Sequence, residues 1–396
     1  MSKQADSALA QMRRTHEERI LSLLRKQGAL SRRELGVQSG LSRTTLHDII
    51  SGLAASGTVV STAQDSAPRG RGRPAESVTL NPAAGQAVGI DFARQHVHVA
   101  IVNVAHEIIG SADEAHPADL PWPRRAELAE RLIARLTESA VTMGSLTGIG
   151  VGVVGPGTGH EETARRIEAV KLHLRTRFGV PVLVDNNTRL AALGESVWGS
   201  AEGHQNVVYL RLSHGVGGGL ILGGSLHRGA HGISGEFGHI TVDPDGPDCL
   251  CGGRGCLETV ASVNAVTTAY QEAGGRPGGF PALLAAVEDG EPQARELLAR
   301  VGALTGQVLA GVCNVVGPQL VVIGGELAHF GDAFLHPVEA GLRAHAMPAA
   351  LHDLRVRAAT LGDAGAALGA IALVLHESPL LARYPTEPVP EERACS

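Results

Sequence analysis

Near residue 80 the spacing of apolar side chains changes period, and one architecture cannot accommodate both halves of the chain. Before that point the spacing is helical: Leu46, Ile49, Ile50 and Leu53 recur at i, i+3, i+4 and i+7, after an earlier stripe of Ile20, Leu21, Leu23 and Leu24. From residue 85 the run GQAVGIDFARQHVHVAIVNV alternates instead, with Val97, Val99 and Ile101 on one face, as a strand in a hairpin does. Charge divides at the same place. Residues 1–80 hold 12 Lys+Arg and 7 Asp+Glu, a net of +5, while the chain as a whole carries −6, which leaves −11 for the remainder. A short basic head on a long acidic body suggests a nucleic-acid module joined to something else. We therefore divide the chain into a head, residues 1–80, and a body, residues 81–396.

Composition narrows the class further. Hydrophobic residues at 43% and charged residues at 19% exclude a wholly disordered chain. Glycine and proline are abundant but show no G-X-Y period, which excludes collagen. No unbroken apolar run reaches the roughly 18 residues needed to span a bilayer, and the opening MSKQADSALAQMRRTHEER lacks the apolar stretch of a signal peptide. The expectation is a soluble, cytoplasmic protein without a membrane partner. In that compartment five cysteines do not suggest a disulfide framework.

In the head, SRRELGVQSG offers Ser31 and Glu34 at capping-box spacing and Gly40 as a turn. SRTTLHDIISGLAASG then opens on Ser42 as an N-cap. Two short helices joined by a Gly-containing turn read as a helix-turn-helix, whose later helix enters the major groove of double-stranded DNA. Arg43, Thr44, Thr45 and His47 lie on its first turns, away from the apolar stripe, and are the expected DNA-contacting residues. TVVSTAQ and SVTLNP read as the two arms of a wing. Between them Arg71 and Arg73 stand in a Gly-rich cationic segment suited to a minor groove.

The body reads as α/β, with more than one sheet: TGIGVGVVGPG, VPVLVDNN, NVVYLRLS, GGGLILGG and PQLVVIGGE are apolar strands interleaved with helical stretches. A literal G-x-G-x-x-G at Gly150, Gly152 and Gly155 is followed by proline rather than a helix, so no dinucleotide fold is inferred. The chemistry is concentrated later. His239, Cys249, Cys251 and Cys256, at spacings of ten, two and five, give a Cys₃His donor set in a Gly-rich loop. Four such ligands suit tetrahedral zinc with no open position, hence a structural ion.

The run GEFGHI followed by CLCGGRGCLE, behind SHGVGGGLI, resembles the ROK family of repressors, open reading frames and sugar kinases. The head ahead of it resembles the family's repressor branch. The resemblance implies an actin-like, ribonuclease-H-like body of two α/β lobes, one covering about 85–200 plus the C-terminal helix and the other about 201–375, with a sugar cleft between them. It also implies that Asn186, Glu236, His239 and Glu258 face a sugar or sugar-derivative effector, and that the chain acts as a homodimer or homotetramer.

Against the family's kinases the sequence departs in four places. Their general base sits in a motif like E-N-D-x-N-x-A-A-L-x-E; here residues 185–195 read DNNTRLAALGE, which puts Asn187 at the base position and Arg189 where the motif has asparagine. An amide cannot take a proton at neutral pH, and losing a general base costs roughly 10²–10⁴-fold in rate. Where the family has D-x-G-G-T, this chain has Asp91-Phe92-Ala93-Arg94-Gln95, and Ser213-His214-Gly215 replaces the second, Gly-Thr-Gly loop. The segment between residues 157 and 180 also lacks the family's Asn-containing sugar loop and reads as one Arg-rich helix. The expectation is a DNA-binding regulator, most simply a repressor, and not an enzyme. An active sugar kinase with a DNA-binding head and a ligand-independent regulator are the alternatives.

Overall fold

The computed structural model describes residues 13, 15–17, 19–24, 27–63, 76–81, 84–140, 146–155 and 161–377. In the head, β1 (Leu30–Ser31) leads into α1 (Arg32–Ser39) and α2 (Arg43–Ala55), followed by β2 (Val59–Ala63) and β3 (Glu76–Leu80). The capping box forms as its spacing requires. The Glu34 backbone N–H donates to Ser31 Oγ and the Ser31 N–H donates back to the Glu34 carboxylate at 2.8 Å. Gly40 ends α1 in the left-handed region at φ 66°, and Ser42 caps α2 by accepting from the Thr45 N–H. β2 and β3 pair antiparallel from Val59 opposite Leu80 to Ala63 opposite Glu76, the two arms of a wing. The head is a winged helix-turn-helix.

The body repeats one topology twice. Its first sheet comprises β4 (Gln86–Phe92), β5 (His96–Asn103), β6 (Ile108–Ala115), β7 (Leu146–Val153) and β8 (Val182–Asn186), ordered β6-β5-β4-β7-β8. α3 (Trp122–Ala140) and α4 (Glu161–Phe178) accompany it, and α5 (Asn187–Trp198) leaves it. The second sheet comprises β9 (Val207–Leu212), β10 (Val216–Leu222), β11 (Ser225–His227), β12 (Leu320–Gly324) and β13 (Arg355–Ala358), ordered β11-β10-β9-β12-β13. In each, three antiparallel strands are followed by two parallel ones. That duplicated order is the actin-like, ribonuclease-H-like fold the resemblance implied.

Helices α6 (Glu258–Ala261), α7 (Val263–Glu272), α8 (Gly279–Glu288), α9 (Pro292–Val316) and α10 (Asp332–His345) complete the second lobe, and α11 (Gly365–Glu377) closes the described chain. α11 belongs to both halves. Its backbone packs on Gly89 and Gly150 of the first sheet, while Ala366 and Ala370 join Tyr209 and Val322 of the second in one buried cluster. Another face of α11, through Leu368 and Ile371, shares a cluster with Ala100 and Val102 and with Leu35 and Ile50 of the head. Head and body are thus joined by apolar contact as well as by the chain.

α9 is a finding the sequence reading did not make. At 25 residues it is long and apolar enough, by length and composition, to cross a membrane. Here it is a core helix: Leu298, Leu309 and Cys313 are buried in the second lobe, and Gly302 and Gly306 bring it against α10. β6 and β13 were also not read as strands. β6 exposes Ile108, Ser111, Asp113 and Ala115 rather than burying an apolar face, and β13 is a four-residue edge strand carrying two arginines.

Candidate functional site

α2 presents Arg43, Thr44 and His47 to solvent, while Leu46, Ile49 and Ile50 point into the head's core. Thr45 differs from its three neighbours. It is half-buried, and its hydroxyl lies 2.8 Å from Ser42 Oγ, so it serves the helix cap before it serves any ligand. Arg71 and Arg73 lie outside the described residues.

His239, Cys249, Cys251 and Cys256 converge as the spacing indicated: their ligand atoms all lie within 4.8 Å of one another. Cys251 Sγ is 3.7 Å from Cys256 Sγ, and His239 Nδ1 is 3.6 Å from Cys249 Sγ. Tetrahedral Zn–S bonds of ~2.3 Å place two thiolates ~3.8 Å apart, so the donor set fits such an ion in both type and separation. Backbone builds the cage. The Val242 N–H donates to Gly255 O and the Gly255 N–H to Pro247 O, folding the knuckle back on itself. Gly255 is required there: it sits at φ 59°, and a Cβ would fall 1.5 Å from Asp243 O.

The same imidazole also faces a carboxylate. With Nδ1 toward the thiols, His239 Nε2 lies 4.0 Å from Glu236 Oε2, so one residue can hold a metal and orient a carboxylate. Burial pushes the Glu236 carboxyl up, opposed by the charges of His239 and Arg189. Glu258 opens α6 and accepts the Val216 N–H at 2.8 Å, which aims it at the Ser213–Gly217 loop. Asn186 is engaged at both ends. Its Oδ1 caps α5 by accepting from the Thr188 and Arg189 N–H groups, and its Nδ2 donates to Gly155 O.

Asn187 is buried close to Asp91, the first residue of the altered phosphate turn, and both line the space that a Cβ on Gly152 would fill. Asp91 is itself buried, its Oδ1 has no hydrogen-bond partner, and burial raises its carboxyl from 3.8 to about 6 against the pull of Arg211 and Asn187. A carboxyl that binds its proton more tightly folded than unfolded costs nothing below pH 4 and destabilises as pH rises through 6, by ~3 kcal/mol once ionised. Asp91→Asn should therefore flatten the fall in urea midpoint between pH 4.5 and 7.5. An unchanged slope would assign the pH dependence to another group.

Two features escaped the sequence reading. Arg211 stands in an otherwise apolar strand, VVYLRL, and a charge in such a strand was the available signal. Its charge lies in the field of Asp91, Glu326 and Asp363. Arg189, noted only as a departure from a motif, forms a buried pair with Asp185 four residues earlier, which one helical turn would have suggested.

Residues 87–377 match the ROK family, and the chain belongs to it. The xylose repressor of Bacillus spizizenii is 26% identical over 379 residues, covering 92% of this chain and 96% of that protein. A glucokinase of Halalkalibacterium halodurans is 30% identical over 307 residues, but these are 71% of this chain and 92% of the kinase. Among solved structures, a ROK family transcriptional regulator described as a homologue of the Escherichia coli MLC protein superposes with a TM-score of 0.78 at 25% identity, covering 94% of this chain and 98% of that one. The regulators match nearly end to end; the kinase leaves more than a quarter of the chain unmatched.

Proposed function

We propose that this protein is a DNA-binding transcriptional regulator, acting as a repressor, in which residues 1–80 read DNA and residues 81–396 sense a sugar or sugar derivative. The observation that carries the reading is the exposed trio Arg43, Thr44 and His47 at the start of a doubly capped helix-turn-helix, joined to a body whose general-base position holds Asn187. Arg71 and Arg73 would add contacts from the wing. A homodimer or homotetramer would set two heads at half-site spacing. Structural zinc on His239, Cys249, Cys251 and Cys256 would fix the segment that presents Glu236 and Glu258 to the effector. Phosphotransfer is not part of this reading, and the protein works in the cytoplasm.

A kinase would need a base in reach of the attacking hydroxyl and a cradle for phosphate. Asn187 supplies no base, and Ala93 and Arg94 stand where the family's phosphate turn has glycines, so side chains occupy the space of a phosphate cradle. The ligand-independent alternative has one observation in its favour: the amide of Asn186 is committed to the fold.

The test is a gel shift on duplexes selected from genomic DNA by the purified protein. Arg43→Ala should weaken binding by about 5–150-fold, the worth of one good base contact. An unchanged curve would move recognition elsewhere on the head, and ATP-dependent phosphorylation of a hexose would overturn the non-enzymatic reading.

A further inference from the structure

Two arginines from different parts of the body share one aspartate. Asp185 lies near the end of β8, Arg189 follows within the first turn of α5, and Arg228 comes just after β11 at the edge of the other sheet. Arg189 binds Asp185 Oδ1 through Nη2 at 2.6 Å and Nε at 2.8 Å, while Arg228 Nε binds Oδ2 at 2.6 Å. The remaining arm of Arg189 donates to the carbonyl of Gly232. Asp185 and Arg189 are 4% and 5% exposed, but Arg228 is 41% exposed, so water reaches only the outer partner.

The two outer contacts bracket residues 228–232, and the chain then runs directly to Glu236 and to His239. Gly229, Gly232 and Gly235 all adopt positive φ, so this stretch is built from turns rather than from a regular element. Its far end is fixed. A Cβ on Gly235 would lie 2.4 Å from Gly218 O, which shows how closely residue 235 is pressed on β10. Its near end leaves β11 at His227, which pairs with Leu220. Between there and Gly235 the shared carboxylate with its Arg189 partner holds the stretch to the rest of the molecule.

We infer that residues 228–235 form a strap latched over the N-terminal end of α5 by Asp185, Arg189 and Arg228, and that unlatching opens this side of the effector cleft. The inference rests on the effector-sensing reading of the cleft. A buried ion cluster adds little net stability, yet it fixes geometry strongly, because a carboxylate stripped of its partners is costly to keep buried. Here Arg189 stays on Asp185 when Arg228 lets go, so opening breaks one ion pair and one carbonyl bond. Local openings of that size occur well below the cost of global unfolding. The strap ends beside Glu236, so its lifting about the fixed Gly235 uncovers the carboxylate that faces His239.

Hydrogen–deuterium exchange on the full chain, without effector or DNA, tests the latch. Peptides covering 228–236 should exchange at least about tenfold faster in Arg228→Ala, with the 249–256 loop and α9 within about twofold of the parent. Arg228→Lys should fall between, since an ammonium can pair with Asp185 without holding the guanidinium geometry. Amidation of Glu236 by a water-soluble carbodiimide should rise in the same order. Unchanged exchange at 228–236 in both Arg228→Ala and Asp185→Asn would overturn the latch. So would a uniform increase across the chain with a lowered melting temperature, which would make the cluster a general stability element. No sugar or duplex enters the measurement, so its failure leaves the regulator reading intact, and silence toward every sugar would leave the latch intact.

Discussion

Cys256→Ser protein should leave purification with less than about a tenth of a metal ion per chain, against about one for the parent. Cys256 is the most buried of the three thiols, at 1% exposure, and faces Cys251 across 3.7 Å. A serine hydroxyl is a harder, far weaker ligand and stays protonated at neutral pH, so three donors would remain where a closed site needs four. The consequence extends beyond the ion. Leu257 follows directly and is fully buried in the second lobe's core, and Glu258 comes next with its bond to the Val216 N–H. A loosened knuckle should thus disturb the core and the Glu258–Val216 bond together. Ligand linkage sets the scale: an ion present at a thousand times its Kd contributes ~4 kcal/mol. Chelation of the parent should reproduce the drop in melting temperature, and the variant should then be insensitive to chelator. Full metal content in Cys256→Ser, measured by elemental analysis, would refute the Cys₃His assignment.

Much of this is legible in the sequence, for local reasons. Ser31 with Glu34, Ser42 and Gly40 are short-range signals, and their caps formed where the spacing placed them. The knuckle was legible because four ligands sharing one ion must meet whatever the chain does between them. What stayed hidden is long-range. Asn186 reads as a polar residue available to a ligand, and only the structure shows its amide spent on the α5 cap and on Gly155. Arg189 reads as a lost asparagine, and its second partner, the carbonyl of Gly232, lies 43 residues away. The buried Asp91 could be located but not weighed, since the rise of its carboxyl comes from burial that the sequence does not display. α9 escaped because interruptions such as Thr305 and Gln307 break the apolar run while tertiary packing still buries the helix.

The second large effect separates two glycines of the same helix. Gly369→Ala should prevent folding or destabilise the protein by at least ~3 kcal/mol, while Gly365→Ala should be neutral or stabilising by up to ~1 kcal/mol. A Cβ on Gly369 would sit 1.6 Å from Leu190 O and 2.3 Å from its carbonyl carbon, both backbone atoms of α5 that no rotamer change can move. On Gly365 the nearest atoms are the Cβ carbons of Leu361 and Ala191, at 3.5 and 3.8 Å, an ordinary contact. Its φ of −56° suits alanine, and alanine favours a helix over glycine. The crossing matters for more than stability. α5 carries the buried Asn187 and Arg189 at its start, and α11 carries Leu368 and Ile371 into the cluster shared with the head. Any rearrangement of α5 is therefore passed to α11 through backbone contact, with no flexible side chain between them to absorb it. Melting curves for the two variants decide the matter: midpoints within a few degrees of each other would mean that the helices part easily at Gly369, and the crossing could not couple α5 to the head.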